Sequence, residues 1–234
     1  MPEKVQTRPG LTGNQLKILA MAAMTCDHIG LQLLPQFGVL RIIGRLALPI
    51  YAYMIAEGCR YTHDRKNYLL RILALAMLCQ VVYFAAMGSL YQCILVTFSL
   101  SICLIYALDN AGKCRDPGSV LLALGVFLAE VFLCVLLPKL MAGTDFGVDY
   151  GIWGVLLPVL VYCGKDRRQK LLLLTLGTVL LGAAFGGMQW WALLAVPLLM
   201  AYNDQRGKYP IGKLFYIYYP LHLVVIYGIS LLLT

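Results

Sequence analysis

Long apolar runs separated by short polar stretches occupy almost the whole chain. Runs such as 120–137 and 171–181 show no alternation of polar and apolar residues, so they predict helices rather than the strands of a membrane barrel. About nine runs approach the ~17–25 residues that a helix needs to cross the hydrocarbon core of a membrane. Their approximate bounds are 15–35, 39–58, 68–87, 90–108, 118–138, 146–163, 169–186, 188–203 and 213–233. The pattern predicts an all-α, polytopic integral membrane bundle with about nine transmembrane helices.

The composition excludes the other broad classes of protein. Of the 234 residues, 61% are hydrophobic and 13% are charged, and the mean hydropathy is +0.78. A soluble domain is about 45–50% apolar and about 25% charged, so a soluble or disordered chain is excluded. The apolar run 16–24 after a basic start resembles a secretory signal, but no A-x-A cleavage site follows it, and we expect it to be retained. The short connections predict a single transmembrane domain over 15–234 after a polar N-terminus, 1–14.

The basic residues predict the orientation of the chain in the membrane. The formal net charge is +8, with 19 Lys and Arg residues. All of these except Arg41, Arg45 and Lys139 lie before the first segment or around the loops that follow segments two, four, six and eight. Cytoplasmic loops are enriched in Lys and Arg, so we expect a cytoplasmic N-terminus, and the positive charge needs no nucleic acid to explain it.

The eight cysteines form no C-x-x-C pair and lie mostly in apolar runs. We interpret them as small packing residues, because neither a disulfide framework nor a metal site shows this spacing.

Few ionisable residues lie inside the predicted spans, where a charge costs at least ~2.5–3.5 kcal/mol and faces a protein or watery interior. They are Asp27, His28, Arg45, Glu57, Glu130 and His222. With a rise of ~1.5 Å per residue, His28, Arg45 and His222 would all lie near the middle of the bilayer. A structural role stays open for each, because a membrane histidine can be an interhelical hydrogen-bond partner and Asp27 can form an ion pair with Arg45.

The spacing of these residues predicts which of them face each other. Asp27 and His28 are adjacent, so on a helix they point ~100° apart, and a partner that orients His28 must come from another helix. Arg41 and Arg45 are four apart and share a face, and we expect Arg41 to anchor at the interface while Arg45 lies deeper. Pro49 is expected to bend the helix near Arg45.

Two tyrosines and one glutamate complete the set of candidates. Tyr218 and Tyr219 stand four and three residues before His222, so they flank it on one side of a helix. They fit either an aromatic belt or a site. Glu130 has no evident partner in the sequence and is a candidate for a proton path or for packing.

All of these candidates except Glu130 lie in sequence runs that resemble the TraX family. The runs are KILAMAAMTCDHIG (17–30), LRIIGRLALPIYAYMIAEGCRYT (40–62), YLLRIL (68–73), DYGIWGVLLPVLVYC (149–163), AYNDQRGKY (201–209) and KLFYIYYPLHLVVIY (213–227). Together they span roughly 14–230, and DHIG, GRLALP, DYG and FYIYYPLHL in this order carry the resemblance. The terminal YYPLHL is also similar to the last helix of the acyltransferase-3 membrane enzymes.

The resemblance implies an activity. TraX is associated with N-terminal acetylation of conjugative F-type pilin, and the family is similar to transmembrane acyltransferases that take acetyl groups from cytoplasmic acetyl-CoA. It therefore implies a multi-pass acetyltransferase of the bacterial inner membrane, acting on an amine or hydroxyl acceptor such as a pilin N-terminus. The acceptor itself is not identified by the resemblance.

Within that reaction we expect His28 to be the general base. Asp27 or Arg45 would fix its surroundings, and Arg45, Tyr219 or His222 would polarise the thioester carbonyl. An acetyl-histidine intermediate is the main alternative. The residues expected to bind acetyl-CoA are Arg45, Tyr218, Tyr219, Arg71, Arg206 and Lys213. No metal is expected.

Two other classes of function stay open. A small proton-coupled transporter would use buried Asp, Glu and His as a relay, although the chain shows no internal repeat. A structural partner in pilus or envelope assembly would need no chemistry. Binding of CoA, and its release with an acceptor, would distinguish an enzyme from both.

Overall fold

The computed structural model describes residues 9–208 and 211–233, and this part of the chain is helical, with two isolated β-bridges and no strands. Its α-helices are α1 Gly13–Gln32, α2 Gly38–Gly44, α3 Ala47–Tyr61, α4 Arg65–Met87, α5 Ile94–Cys114, α6 Pro117–Val131, α7 Leu137–Leu140, α8 Gly151–Cys163, α9 Arg167–Phe185, α10 Ala195–Met200 and α11 Gly212–Leu233. A π-helical turn, Phe132–Leu136, joins α6 to α7, and a 3-10 helix, Gly187–Leu194, precedes α10. The all-α prediction is confirmed.

Polar side chains fix where several of these helices begin. Asp64, Asp116 and Asp166 each accept a hydrogen bond from the backbone N–H three residues further on, at the starts of α4, α6 and α9. Thr12 and Gln15 form a reciprocal capping box at the start of α1. Such caps satisfy N–H groups that a helix leaves without partners, so the short polar loops determine where the apolar helices begin.

The chain divides into two compact units, one formed by Met1–Met54 with Gly187–Thr234 and the other by Ile55–Gly186. We call them the terminal unit and the central unit. In the terminal unit, α1 packs against α2 and α11, and the 3-10 helix packs against α2 and α10. In the central unit, α5 packs against α4, α6 and α8, and α8 packs against α9.

Glycines allow the closest approach of the first two helices. A Cβ at Gly30 of α1 would lie 2.8 Å from the Cβ of Leu40 on α2. A Cβ at Gly44 of α2 would lie 2.6 Å from the Asp27 carboxyl carbon on α1. Close backbone contact through small residues is the usual basis of helix packing in membranes, and here it places a carboxylate directly against the neighbouring helix.

Five stretches of the described chain are long and apolar enough to cross a membrane. They are Gly38–Tyr61, Arg65–Ala85, Ile94–Cys114, Pro117–Leu140 and Arg167–Phe185. Three shorter apolar stretches, Gly151–Cys163, Gly187–Met200 and Ile217–Leu233, accompany them. The prediction of a polytopic membrane protein is thus supported at the level of helix length and composition.

Each predicted segment coincides with helical structure, but three of them are interrupted. The second segment is split between α2 and α3, and Pro49 lies in the first turn of α3, where a missing N–H breaks no helical bond. The π-helical turn interrupts the fifth segment just before Pro138, and the eighth combines the 3-10 helix with α10. The bend expected near Arg45 is therefore a break between two helices.

Candidate functional site

Two histidines that are far apart in the sequence meet in the terminal unit. The Nδ1 atom of His28 on α1 lies 2.8 Å from the Nε2 atom of His222 on α11. The two rings are inclined by 18° with their centroids 5.0 Å apart, which fits a hydrogen bond between ring edges. The expectation that the partner of His28 comes from another helix agrees with this geometry.

The second nitrogen of His222 determines the proton positions in the pair. Its Nδ1 atom lies 2.9 Å from the backbone oxygen of Tyr218, and a carbonyl can only accept, so Nδ1–H of His222 donates. In a neutral His222 ring, Nε2 is then the acceptor, and His28 must donate through Nδ1–H. The Nε2 atom of a neutral His28 is left with its lone pair, which is the atom a general base needs.

Aromatic side chains surround His222. The ring of Tyr218 is nearly parallel to it, with centroids 5.2 Å apart, and the ring of Tyr219 meets it edge-on at 5.5 Å. The Tyr218 hydroxyl also shares a short hydrogen bond with the hydroxyl of Thr25, one turn before His28 on α1. His222 and Tyr219 are buried, so the pair is held by packing as well as by hydrogen bonds.

Asp27 does not contribute to the histidine pair, because its carboxylate binds two arginines of the α2 region. Arg41 donates from Nη1 to Oδ2 at 3.0 Å, and Arg45 donates from Nη2 to Oδ1. Arg41 also donates to the backbone oxygen of Asp27 at 3.3 Å. One carboxylate therefore sits between two guanidinium groups, and this cluster carries an excess positive charge.

Arg41, which we expected to anchor at the membrane interface, also takes part in an ion cluster that the sequence did not reveal. The hairpin between α1 and α2 brings residue 41 beside residue 27, so Arg41 is a member of the ion cluster. Its distance along the chain from Asp27 gave no indication of that contact.

Gln189 of the 3-10 helix also joins the cluster. Its Oε1 atom accepts a hydrogen bond of 3.3 Å from Nη1 of Arg45. The side chain is 4% exposed, and its Nε2 donor has no partner among the described residues. Gln189 was not among the residues predicted from the sequence, because a single glutamine in an apolar run does not indicate a functional site.

The loop before α11 is tied to the start of α1. Leu11 donates from N–H to Ala201 at 2.7 Å and accepts from Asn203 at 2.9 Å, and Gly13 donates to Gln205 at 2.7 Å. These backbone bonds hold the two chain segments side by side. They therefore help to position His28 on α1 relative to His222 on α11.

The other residues proposed for acetyl-CoA are Arg71, Arg206 and Lys213. Arg71 is an exposed residue of α4 in the central unit, and its Nε donates to the backbone of Asn67 at 3.0 Å. Arg206 is exposed in the loop before α11, where its backbone oxygen accepts from Asn14. The side chain of Lys213 lies outside the described residues.

The central unit holds its own polar contacts. Lys170 of α9 and Glu57 of α3 form a buried ion pair of 2.6 Å. Asp109 of α5 binds Arg65 at 2.6 Å and Lys113 at 2.8 Å. These arrangements pair charges and leave no lone-pair nitrogen comparable to that of His28, so we interpret them as structural.

No group of three or more His, Cys, Asp or Glu side chains within residues 9–208 and 211–233 is arranged to hold a metal ion. The described site offers imidazoles, guanidinium groups, hydroxyls and an amide.

Comparisons with known proteins identify a family model and two related proteins that match this chain. The sequence model described as "TraX protein" matches residues 12–230. The probable fimbrial assembly protein FimC, serogroup H1, of Dichelobacter nodosus is 24% identical over 241 residues, which cover 91% of this chain and 93% of that protein. An uncharacterized protein of Rickettsia prowazekii (strain Madrid E) is 35% identical over 98 residues, or 41% of this chain and 37% of that protein. No solved structure matches the chain.

Proposed function

Because the chain belongs to the TraX family, we propose that it is a membrane-embedded acetyltransferase that moves an acetyl group from acetyl-CoA to an amine or hydroxyl acceptor. The observation that carries the proposal is the pair of His28 and His222, which leaves Nε2 of His28 as a proton acceptor. A transferase to an amine or hydroxyl needs such an acceptor for the proton of the nucleophile.

In the proposed reaction, the acceptor nitrogen or oxygen attacks the thioester carbonyl carbon while Nε2 of His28 takes its proton. The new C–N or C–O bond forms, the C–S bond breaks, and the CoA sulfur leaves with the proton that His28 returns. His222 keeps the His28 ring in the required tautomer, as the orienting member of a catalytic triad does. In the alternative, a histidine nitrogen first displaces the CoA thiolate and forms an acetyl-histidine. The acceptor then attacks the acetyl carbon, the bond to histidine breaks, and the proton of the acceptor ends on the thiolate.

The cluster of Asp27, Arg41 and Arg45 supports the proposal by its charge. Two guanidinium groups share one carboxylate, so the cluster has positive charge available for a developing oxyanion or for an anionic group of the acyl donor. We assign Arg45 the electrophilic role and Asp27 the role of positioning it. Tyr218 and Tyr219 then act through His222, which they both contact.

The membrane orientation proposed for this enzyme is nine crossings with a cytoplasmic N-terminus, in the inner membrane of a bacterium. Contacts between loops support it, because each joins loops expected on the same side. Ser89 bonds Asp145 at 2.6 Å between two loops expected outside. Arg60 donates to the oxygen of Gly164 at 2.8 Å, and both lie at loops expected inside.

The orientation is testable with a membrane-impermeant maleimide. Cys114 is exposed beside the basic loop after α5, so we expect it to react in inside-out vesicles and to be protected in intact cells. A cysteine replacing Ser89 in a variant without the two exposed cysteines, Cys114 and Cys163, should show the opposite pattern. Reaction of both from the same side would contradict the nine-crossing arrangement.

The acceptor that we propose is the N-terminal amine of a pilin. The support is the name of the D. nodosus relative, a probable fimbrial assembly protein. The same name also favours the second candidate function, a structural role in fimbrial assembly without catalysis.

One assay separates the two functions. The purified full-length protein in lipid nanodiscs is incubated with isotope-labelled acetyl-CoA and pilin N-terminal peptides, and acetylated peptide is measured by mass spectrometry. We expect product with the native chain and with His63→Ala, which removes the one histidine outside the pair. His28→Ala should lower the rate by about 10²-fold or more. Absence of CoA release with every amine and hydroxyl acceptor would overturn the enzyme proposal.

A further inference from the structure

Glu130 lies on the buried face of an otherwise outward-facing helix. The buried residues of α6 are Ser119, Ala123 and Glu130, whereas Leu124 and Leu128 are about half exposed. Glu130 is 2% exposed, although it is a carboxylic residue near the middle of the apolar stretch Pro117–Leu140. The ~1.5 Å helical rise puts it about 20 Å from one end of that stretch and about 15 Å from the other.

The carboxyl group of Glu130 has no hydrogen-bond partner within residues 9–208 and 211–233. Neither of its oxygens bonds any of the residues that the structure describes. The titratable side chains near it are the thiols of Cys103 on α5 and Cys134 in the π-helical turn, and neither supplies positive charge. Burying an ionised carboxylate without a partner is costly, so this position favours the neutral acid.

Glu57 shows what the same unit does with an ionised glutamate. It is also buried, at 8% exposure, but Nζ of Lys170 lies 2.6 Å from its Oε1 atom. The two buried glutamates of the central unit therefore differ in one respect, the presence of a cation. Glu130 is therefore the one of these two glutamates that has no cation beside it.

The helix is irregular directly beside Glu130. The π-helical turn begins two residues later, and Leu137 donates its N–H to Phe132, five residues back. Pro138 has no N–H, so the regular bond to the carbonyl of Cys134 cannot form. Such π-helical insertions occur frequently at functional sites, and this one loosens the helix on the side of Cys134, which is one turn from Glu130.

We propose that Glu130 is a proton-binding site in the membrane part of the central unit, separate from the histidine pair. At rest the carboxyl holds a proton as the neutral acid. It releases that proton to water and takes one back, and no bond other than O–H forms or breaks. The ligand that we assign is a proton, because neither carboxyl oxygen bonds a described residue and no group of three or more described His, Cys, Asp or Glu side chains could hold a metal ion.

The sequence makes this site unusually easy to observe, because the chain has only three glutamates, Glu3, Glu57 and Glu130. The full chain is labelled with ¹³C at the glutamate side-chain carboxyl and studied in lipid by solid-state NMR at pH 7. We expect one resonance of the acid form and two of the carboxylate form. Glu130→Gln should remove the acid resonance, and the matched variant Glu57→Gln should remove a carboxylate resonance.

Each outcome decides the proposal. The native chain alone already shows how many glutamate resonances belong to the acid form and how many to the carboxylate form. Three carboxylate resonances at pH 7, or an acid resonance that survives in Glu130→Gln, would overturn it. Magnetisation transfer from water to the acid resonance should show that the carboxyl proton exchanges. Absence of this transfer would also overturn the proposal. Conversion of the acid signal to carboxylate by sodium chloride at constant pH would identify a cation site instead.

Discussion

Asp27 and His28 are consecutive residues whose side chains bind two different helices. Asp27 pairs with Arg41 and Arg45 at α2, and His28 bonds His222 of α11. The ~100° between consecutive side chains of a helix makes this division possible. One short stretch of α1 thus supplies the ion cluster and the proton acceptor together.

The first prediction concerns the tautomer of His28. His222→Leu removes the acceptor that holds the proton on Nδ1 of His28, so the proton can move to Nε2 and block the base. We expect the rate of acetyl transfer to fall about tenfold, the effect of one hydrogen bond of ~1.4 kcal/mol. His222→Gln retains an acceptor and should lose less. Equal rates for His222→Leu and the native chain, measured in single turnovers, would remove His222 from the mechanism.

The second prediction tests the close approach of α1 and α2. Gly44→Ala places a methyl group 2.6 Å from the Asp27 carboxyl carbon, so the helices must separate. We expect a lower melting temperature in detergent and a loss of activity. Gly125→Ala is the matched control, since its added Cβ meets nothing within 4 Å and alanine favours a helix by about 0.8–1.0 kcal/mol. A higher melting temperature for both variants would contradict the packing described.

The third prediction concerns the buried pair of Glu57 and Lys170. Lys170→Met leaves the Glu57 carboxylate buried without a cation, and removal of one partner of such a pair costs about 3–5 kcal/mol. The double variant Glu57→Gln with Lys170→Met removes both charges and should recover most of the lost stability. Thermal unfolding of the two single variants and the double variant forms a cycle. Additive losses would show that the two side chains do not interact.

The fourth prediction is a pH dependence in the loop between α7 and α8, which contains Asp145. Hydrogen bonds from the Ser89 hydroxyl and the Leu90 N–H lower the pKa of Asp145 in the folded protein. Because the folded pKa lies below the unfolded one, the contribution of this carboxylate is present above the unfolded pKa of ~3.9 and is lost as the pH falls through the folded pKa. Protease cleavage of the loop should therefore increase in acid. Asp145→Asn should be cleaved readily at every pH, and cleavage of the native loop that is independent of pH would contradict this role.

The helices were predictable because a helix that crosses a membrane needs an apolar run of characteristic length. It was also predictable that the side chains of Asp27 and His28 point in different directions, since this follows from helical geometry alone. The interruptions were not. The break between α2 and α3 and the π-helical turn before Pro138 depend on how backbone groups are satisfied locally, and the apolar pattern is continuous through both.

The two histidines of the site could be predicted from the sequence, whereas the prediction of its ion cluster was incomplete. Depth in the membrane was enough to suggest that His28 and His222 meet. Arg41 and Gln189 could not be assigned, because their contacts arise from a helical hairpin and from a 3-10 helix that residue spacing does not reveal. Arg71 was proposed for its charge alone, and the charge of an exposed residue does not show which ligand it contacts.

The terminal unit is built from the two ends of the chain, and this affects when the site can exist. A ribosome completes His28 early and must make the whole of Ile55–Gly186 before it reaches His222. Domains generally fold as they are synthesised, so the central unit can be complete while α1 still lacks its partner helix. A nascent or truncated chain would therefore have no assembled histidine pair, and the proposed acetyl transfer could begin only after α11 has packed against α1.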